Sequence, residues 1–231
     1  MPDCGVGTKR SRNRSQNAVP GAHIRARRLQ RTVKRGIDVA VAAFALFLLL
    51  PLLGLISAMV LFCDGPPAVF RQPRIGRYGK GFICFKFRTM ICDGDALLAE
   101  HLDRDGDARA EWTRSHKLTN DPRVTSLGRF LRETSLDELP QIFNVLRGEM
   151  SLVGPRPILA GEVERYGPAF ATCFSVPPGI TGLWQVSGRA KRSFAERVEL
   201  DLAYTTSWRL SRDLSILIRT VPAVLAQHGS C

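Results

Sequence analysis

Apolar residues set the outline of this chain before any chemistry is considered. From Val39 to Cys63 run 25 consecutive residues without a charge, with Pro51 at the thirteenth position. Beyond them the pattern becomes mixed. Val69-Phe70 and Phe82-Ile83-Cys84-Phe85-Lys86-Phe87, separated by Gly76, Gly79 and Gly81, predict a β-hairpin. Apolar positions at helical spacing predict helices over about 93–103, 126–132, 136–147, 160–172, 193–208 and 212–226. Pro177-Pro178-Gly179 and Gly182 mark a loop leading into a short strand around Trp184. The expected fold class is α+β, mainly helical. Three parts follow: a leader over 1–36, a membrane segment over 37–63, and one globular domain over 64–231, whose 168 residues lie in the single-domain range.

The uncharged segment is too long for the apolar region of a signal peptide, and no small-residue cleavage site follows it. At 1.5 Å per residue a continuous helix of that length would reach about 37 Å, enough to cross a bilayer. Two features argue for a different path. Lys34 and Arg35 precede it while Arg71, Arg74, Arg77 and Lys80 follow, so the positive-inside rule puts both ends in the cytoplasm. Pro51 removes a backbone N–H at the midpoint, and each half of about 18 Å reaches one leaflet. The expectation is a re-entrant helix broken at Pro51, with a single span as the alternative.

Charge sharpens this picture. Residues 1–36 hold ten Lys/Arg against Asp3 alone, which is +9 of the total +12. An arm so basic and so poor in apolar residues cannot bury a core and is expected to be disordered. Because it runs directly into the apolar segment, anionic lipid head groups suit it better than nucleic acid, for which no helix-turn-helix, zinc-finger or RNP pattern follows.

Candidate chemistry concentrates in Ser135-Leu136-Asp137-Glu138-Leu139-Pro140-Gln141 and, soon after, Met150-Ser151-Leu152-Val153-Gly154-Pro155-Arg156-Pro157. Ser-x-x-Glu before an apolar run is a capping-box pattern, making Ser135 the N-cap and placing Asp137 and Glu138 in the first turn. A helix N-terminus favours an ionised carboxylate, so Asp137 is expected to be a ready anion. Such a carboxylate either caps the helix or attacks phosphorus, giving an acyl-phosphate, while its neighbour holds a divalent cation. Arg132, Arg156 and the cations of Phe85-Lys86-Phe87-Arg88-Thr89-Met90 favour phosphate chemistry, since guanidinium forks match phosphate oxygens.

These blocks, with Lys34-Arg35-Gly36-Ile37-Asp38, Arg74-Ile75-Gly76, Asp121-Pro122-Arg123-Val124-Thr125 and Pro178 to Arg189, make residues 33–228 resemble the monotopic phosphoglycosyl transferases, the bacterial sugar transferases. Within that family the chain is most similar to the short galactosyl-1-phosphate transferases that start exopolysaccharide repeat units. The resemblance implies a re-entrant segment at the cytoplasmic face of the bacterial inner membrane, a UDP-sugar donor and undecaprenyl phosphate as acceptor. It further implies Asp137 as nucleophile, Glu138 as catalytic partner and magnesium ligand, and Lys86, Arg88, Arg132 and Arg156 near substrate phosphates. Pro155, Pro157, Gln185 and Arg189 are possible substrate contacts. Galactose is the first choice of sugar and glucose the second. One departure is Leu50, where family members often carry Ser before the proline.

Other chemistries find no support. The six cysteines form no C-x-x-C pair or metal spacing with the four histidines, no Ser-His-Asp motif is present, and no Rossmann or Walker fingerprint occurs. Trp184 reads either as core or as ligand contact, Asp121-Pro122-Arg123 as a turn, and Asp201 as a structural ion-pair partner. A UDP-sugar hydrolase and a basic membrane-anchored interaction protein remain as alternatives, and nothing in the pattern sets the oligomeric state.

Overall fold

The computed structural model describes residues 20–115, 118–188 and 192–225. Its first element, α1 (Pro20–Asp64), starts well inside the stretch expected to be a disordered leader. Residues 20–36 are helical because they extend an existing apolar helix and so carry no separate nucleation cost, and Arg, Ala, Leu and Gln are good helix formers. Residues 1–19 of that leader lie outside the described residues.

The expected division at Pro51 also differs from what is observed: α1 is one uninterrupted helix with Pro51 inside it. Packing accounts for this. Asp38, Ala42, Leu53, Ile56 and Val60 are buried, with Leu46 and Leu49 half-buried between them, one stripe at helical spacing on both sides of the proline. The missing N–H costs one ladder bond, and the stripe holds both halves to the same globular body. The outer face stays apolar and open, with Phe47 at 76% and Phe62 at 93% exposure.

Strands β1 (Val69–Ile75) and β2 (Gly81–Phe87) form the expected antiparallel hairpin, in register from Val69 opposite Phe87 to Ile75 opposite Gly81. Helices α2 (Asp95–Arg104) and α3 (Gly106–Ser115) follow, then α4 (Ser126–Glu133), which Thr125 caps through Gly128 N at 2.9 Å. The predicted helix over 136–147 is divided: a 3-10 turn at Leu136–Glu138, then α5 (Gln141–Arg147). Pro140 lacks the N–H that continuation requires and stands at the start of α5 instead.

Two three-residue strands, β3 (Ser151–Val153) and β4 (Gly179–Thr181), pair in parallel. Between them the predicted helix over 160–172 is a chain of short turns, including α6 (Val163–Tyr166) and α7 (Phe170–Cys173), divided at Gly167-Pro168. The strand expected around Trp184 lies earlier, at β4, and Trp184 stands in the turn that follows. Gly154 and Gly179 permit this pairing: a Cβ on Gly179 would fall 2.1 Å from Gly154 N. Helices α8 (Phe194–Thr206) and α9 (Leu210–Leu225) close the domain, and Ser193 with Glu196 forms a full capping box on α8.

Charged residues rivet α1 to this body at both ends of its apolar run. Lys34 reaches Asp213 at 2.7 Å, Arg35 donates to the Val145 carbonyl at the C-terminus of α5 at 2.6 Å, and Asp38 accepts from Ser151 at 2.7 Å. At the far end Thr125 donates to Asp64 at 3.0 Å.

Candidate active site

Ser135 does not cap as expected. It adopts a left-handed conformation (φ 57°) and makes no side-chain cap bond. The chain has just left α4, and this reversal turns the following residues inward, burying Asp137 beneath the hairpin. Period-two alternation puts Phe82, Cys84 and Lys86 on one face of β2, and Lys86 meets the carboxylates from there. Its Nζ lies 2.7 Å from Glu138 Oε1 and 3.7 Å from Asp137 Oδ2. Arg156, on the loop after β3, brings Nη2 to 2.9 Å from the same Glu138 oxygen.

The two neighbouring carboxylates are therefore in opposite electrostatic states. Burial raises the pKa of Asp137 above its ordinary value; Lys86 pulls it down, and the Glu138 charge pushes it up again. Burial would raise Glu138 too, but Arg156 and Lys86 outweigh it and hold Glu138 well below the usual carboxylate range. Asp137 is thus not the anion stabilised by a helix N-terminus that the sequence led one to expect. A three-residue turn supplies no such field, and desolvation sets its state. When ionised, it is an anion poorly satisfied by its surroundings, which is the condition of an activated oxygen nucleophile.

Arg132 donates from Nε to Thr89 at 2.8 Å and is close enough to pull the Asp137 pKa down. Arg88 has another task. Its guanidinium donates to the carbonyls of Asp64 (2.6 Å), Gly65 and Pro66 (2.7 Å) and is buried, so it closes the C-terminus of α1 rather than facing substrate phosphate. Strand β2 ends at Phe87, which removes Arg88 from the alternation that points Lys86 at the site.

Pro155 and Pro157, expected as substrate contacts, are buried, and their carbonyls accept from Gly179 N (2.8 Å) and Arg74 Nη1 (3.3 Å). They frame Arg156. Gln185 is buried under the β4 loop, where a Cβ on Gly182 would come 2.6 Å from its Oε1. Arg189 lies outside the described residues. Asp121 and Arg123 form the expected turn, joined at 2.7 Å.

A family model described as bacterial sugar transferase matches residues 29–227. The chain belongs to the bacterial sugar transferase family. Among this transferase's relatives is the exopolysaccharide production protein ExoY of Rhizobium meliloti (strain 1021), 49% identical over 85% of this chain and 87% of that protein. The undecaprenyl-phosphate galactose phosphotransferase of Salmonella typhimurium is 46% identical over 89% of this chain, which spans 43% of that protein's length. The UDP-glucose:undecaprenyl-phosphate glucose-1-phosphate transferase of Caulobacter vibrioides is 41% identical over 85% of the chain and 71% of that protein.

Two residues beside the candidate site escaped the sequence reading of its chemistry. Arg74, opposite Phe82 in the hairpin register, lies near Arg156, and burial together with that like charge lowers its pKa. Asn144, fully buried, donates to Ile83 O (2.6 Å) and accepts from Phe85 N (3.1 Å), sealing the β2 edge next to Lys86. An Asn inside an apolar helix was the available signal, since its helix propensity is poor.

Proposed function

We propose that the protein transfers a hexose-1-phosphate from a UDP-hexose to undecaprenyl phosphate, releasing UMP, as the first step of exopolysaccharide repeat-unit synthesis. The observation that carries this reading is the division of labour between adjacent carboxylates: Glu138 neutralised by Lys86 and Arg156, Asp137 buried with its pKa raised. Relatives whose names specify galactose or glucose transfer at 46% and 41% identity support a hexose, and galactose is the first choice.

In this mechanism an Asp137 oxygen attacks the β-phosphorus of the donor. The bond from that phosphorus to the bridging oxygen breaks, UMP departs with the electron pair, and an acyl-phosphate joining Asp137 to the sugar phosphate remains. An oxygen of undecaprenyl phosphate then attacks the same phosphorus, forming the pyrophosphate link and returning Asp137 as carboxylate. In this reading Arg156 and Lys86, which meet at Glu138, also receive pyrophosphate oxygens, and Arg132, bonded to Thr89, stands beside them.

Magnesium fits this donor set. Among the described residues no three His, Cys, Asp or Glu side chains converge to form a closed cage. Magnesium is commonly held by one or two carboxylates plus substrate phosphates, and Glu138 matches that pattern, since both its cation contacts fall on Oε1 and leave Oε2 to reach a dication. The ion would offset the negative charge of the pyrophosphate.

The chain associates with the membrane through α1, and the reading extends to a seat on the cytoplasmic face of the inner membrane with both ends of the apolar run on that side. Lys34, Arg35 and Asp38 at one end of the apolar run and Asp64 at the other bond the same domain, which argues for both ends on one side. With native cysteines replaced, cysteines introduced near 30 and near 70 are expected to resist an impermeant thiol reagent in intact cells; labelling at residue 30 alone would indicate a span instead.

The covalent path is tested without acceptor. Enzyme mixed with UDP-galactose and magnesium should release one equivalent of UMP in a burst and gain one hexose phosphate on Asp137. Continuous UMP release would mark a hydrolase. Absence of both burst and adduct, with convergent double-reciprocal lines, would replace the two-step path by direct transfer.

A further inference from the structure

The loop that carries Arg156 is held from both sides by arginines that the proposed mechanism does not use. Arg74 Nη1 donates to Pro157 O at 3.3 Å, and Arg197 Nη2 donates to Arg156 O at 3.3 Å. Glu162, in the turn just beyond the loop, joins the two: its Oε1 lies 3.2 Å from Arg197 Nη1 and its Oε2 3.9 Å from Arg74 Nη1. That oxygen also accepts from Leu159 N at 2.8 Å, which fixes the carboxylate to the loop's own exit.

Arg197 is itself immobilised. It is buried on α8, and its Cζ stands 5.0 Å from the Trp184 ring centroid, 5.5 Å from that of Phe194 and 5.7 Å from that of Tyr166. Behind it Asp201, 1% exposed, has Oδ2 at 3.9 Å from Arg197 Nε and accepts from Tyr166 at 2.8 Å. A guanidinium walled by three rings and two carboxylates cannot follow a loop that drifts. It holds the loop in place.

We infer that Arg197, through Glu162 and together with Arg74, is a positioning residue that sets the reach of Arg156 toward Glu138 and the substrate phosphates. The buried prolines on either side make the loop stiff, and the clamp fixes where that stiff piece sits. A shift of about 1 Å at a phosphate-binding cation can cost on the order of 10²-fold in rate. The inference rests on the proposed role of Arg156, so its test keeps the two apart.

The test is a double-mutant cycle in the full chain in nanodiscs, with two readouts: kcat/KM for UDP-galactose and the Kd of UDP by calorimetry. Arg197→Met alone should lower kcat/KM by about 30-fold and weaken UDP, yet change either by less than about 3-fold when Arg156→Ala is already present. Arg197→Lys should recover only part of the loss, because an ammonium cannot bond two acceptors in one plane. If Arg197→Met fails to fold, Glu162→Gln replaces it, with about a 5-fold loss that again vanishes beside Arg156→Ala. Equal losses in both backgrounds, or no loss from Arg156→Ala on either readout, overturn the clamp. Lipid-dependent turnover retained by Asp137→Asn overturns the nucleophile assignment instead, and leaves the UDP-binding cycle to decide the clamp.

Discussion

Charges are dense in two regions of this molecule, and their ion pairs have nearly the same lengths. In the α2–α3 pair Arg104 meets Glu100 at 2.6 Å and Arg109 meets Asp103 at 2.7 Å; in the candidate active site Lys86 and Arg156 meet Glu138 at 2.7 and 2.9 Å. The surroundings differ. The side chains of α2 and α3 in these pairs are 51 to 80% exposed, whereas those of Lys86, Asp137 and Glu138 are 12 to 19% exposed. At a 4 Å separation one ion pair is worth about 1 kcal/mol in water and about 4 kcal/mol at the effective dielectric of a partly buried site. Geometry alone therefore does not mark the site; withdrawal from water does, because there a charge left unsatisfied is available to a substrate.

The largest test of that contrast compares Asp137 with Glu138. Asp137→Asn should lower acceptor-dependent UMP release at least about 10³-fold, and Glu138→Gln about 10²-fold with a weaker magnesium response. Stability should move in opposite directions. The raised pKa of Asp137 means the folded chain holds that proton more tightly than the unfolded chain. Its contribution is full below the ordinary carboxyl value of 3.8 and is lost as pH rises through the raised one. At pH 7 to 8 the asparagine variant should melt about 2 to 4 °C higher, and the gap should close in acid. Glu138 has a depressed pKa, so its contribution is present above 4.5 and lost as pH falls. The glutamine variant should be less stable by about 1–3 kcal/mol at pH 7. Shifts of the same sign, read by thermal unfolding across pH, would show that burial does not separate the two.

A second test uses two cations two residues apart, one inside β2 and one just past its end. Lys86 and Arg88 stand alike in Phe85-Lys86-Phe87-Arg88, but only Lys86 reaches the carboxylates, while Arg88 holds the carbonyls of Asp64, Gly65 and Pro66. Arg88→Met should lower stability by about 2–4 kcal/mol and leave the kcat of the folded fraction within about 3-fold. Unchanged melting with lost turnover would return Arg88 to the substrate phosphate.

That pair also shows where sequence reading stops. The hairpin was legible because its glycines punctuate two β-rich runs, and Asp137, Glu138, Lys86 and Arg156 because carboxylates and cations flank apolar runs. Arg88 was not separable from Lys86, since the end of β2 at Phe87 is fixed by pairing with Val69, not by local residues. Pro140 and Pro168 divided helices that apolar spacing alone joins, and α3 has too few apolar positions to announce itself. The β3–β4 pair joins three-residue strands across a stretch that holds α6 and α7, and Asp137's state depends on burial that no window of sequence contains. Local rules carried the elements; the long-range contacts that set the chemistry had to be seen.

The smallest expected effect completes the comparison. Glu100→Gln removes the carboxylate that Arg104 meets at 2.6 Å, a contact shorter than any in the active-site cluster. Both side chains are more than half exposed, so water and salt replace the lost partner, and such pairs contribute little. The small α2–α3 core of Leu98, Ala108 and Leu118, with Leu102 and Trp112 against it, does not involve this pair. Melting should move by less than about 2 °C and kcat/KM by less than about 2-fold. A loss of turnover with unchanged melting would mean that this face meets substrate or partner during the reaction, and exposure would then no longer separate the two sets of charges.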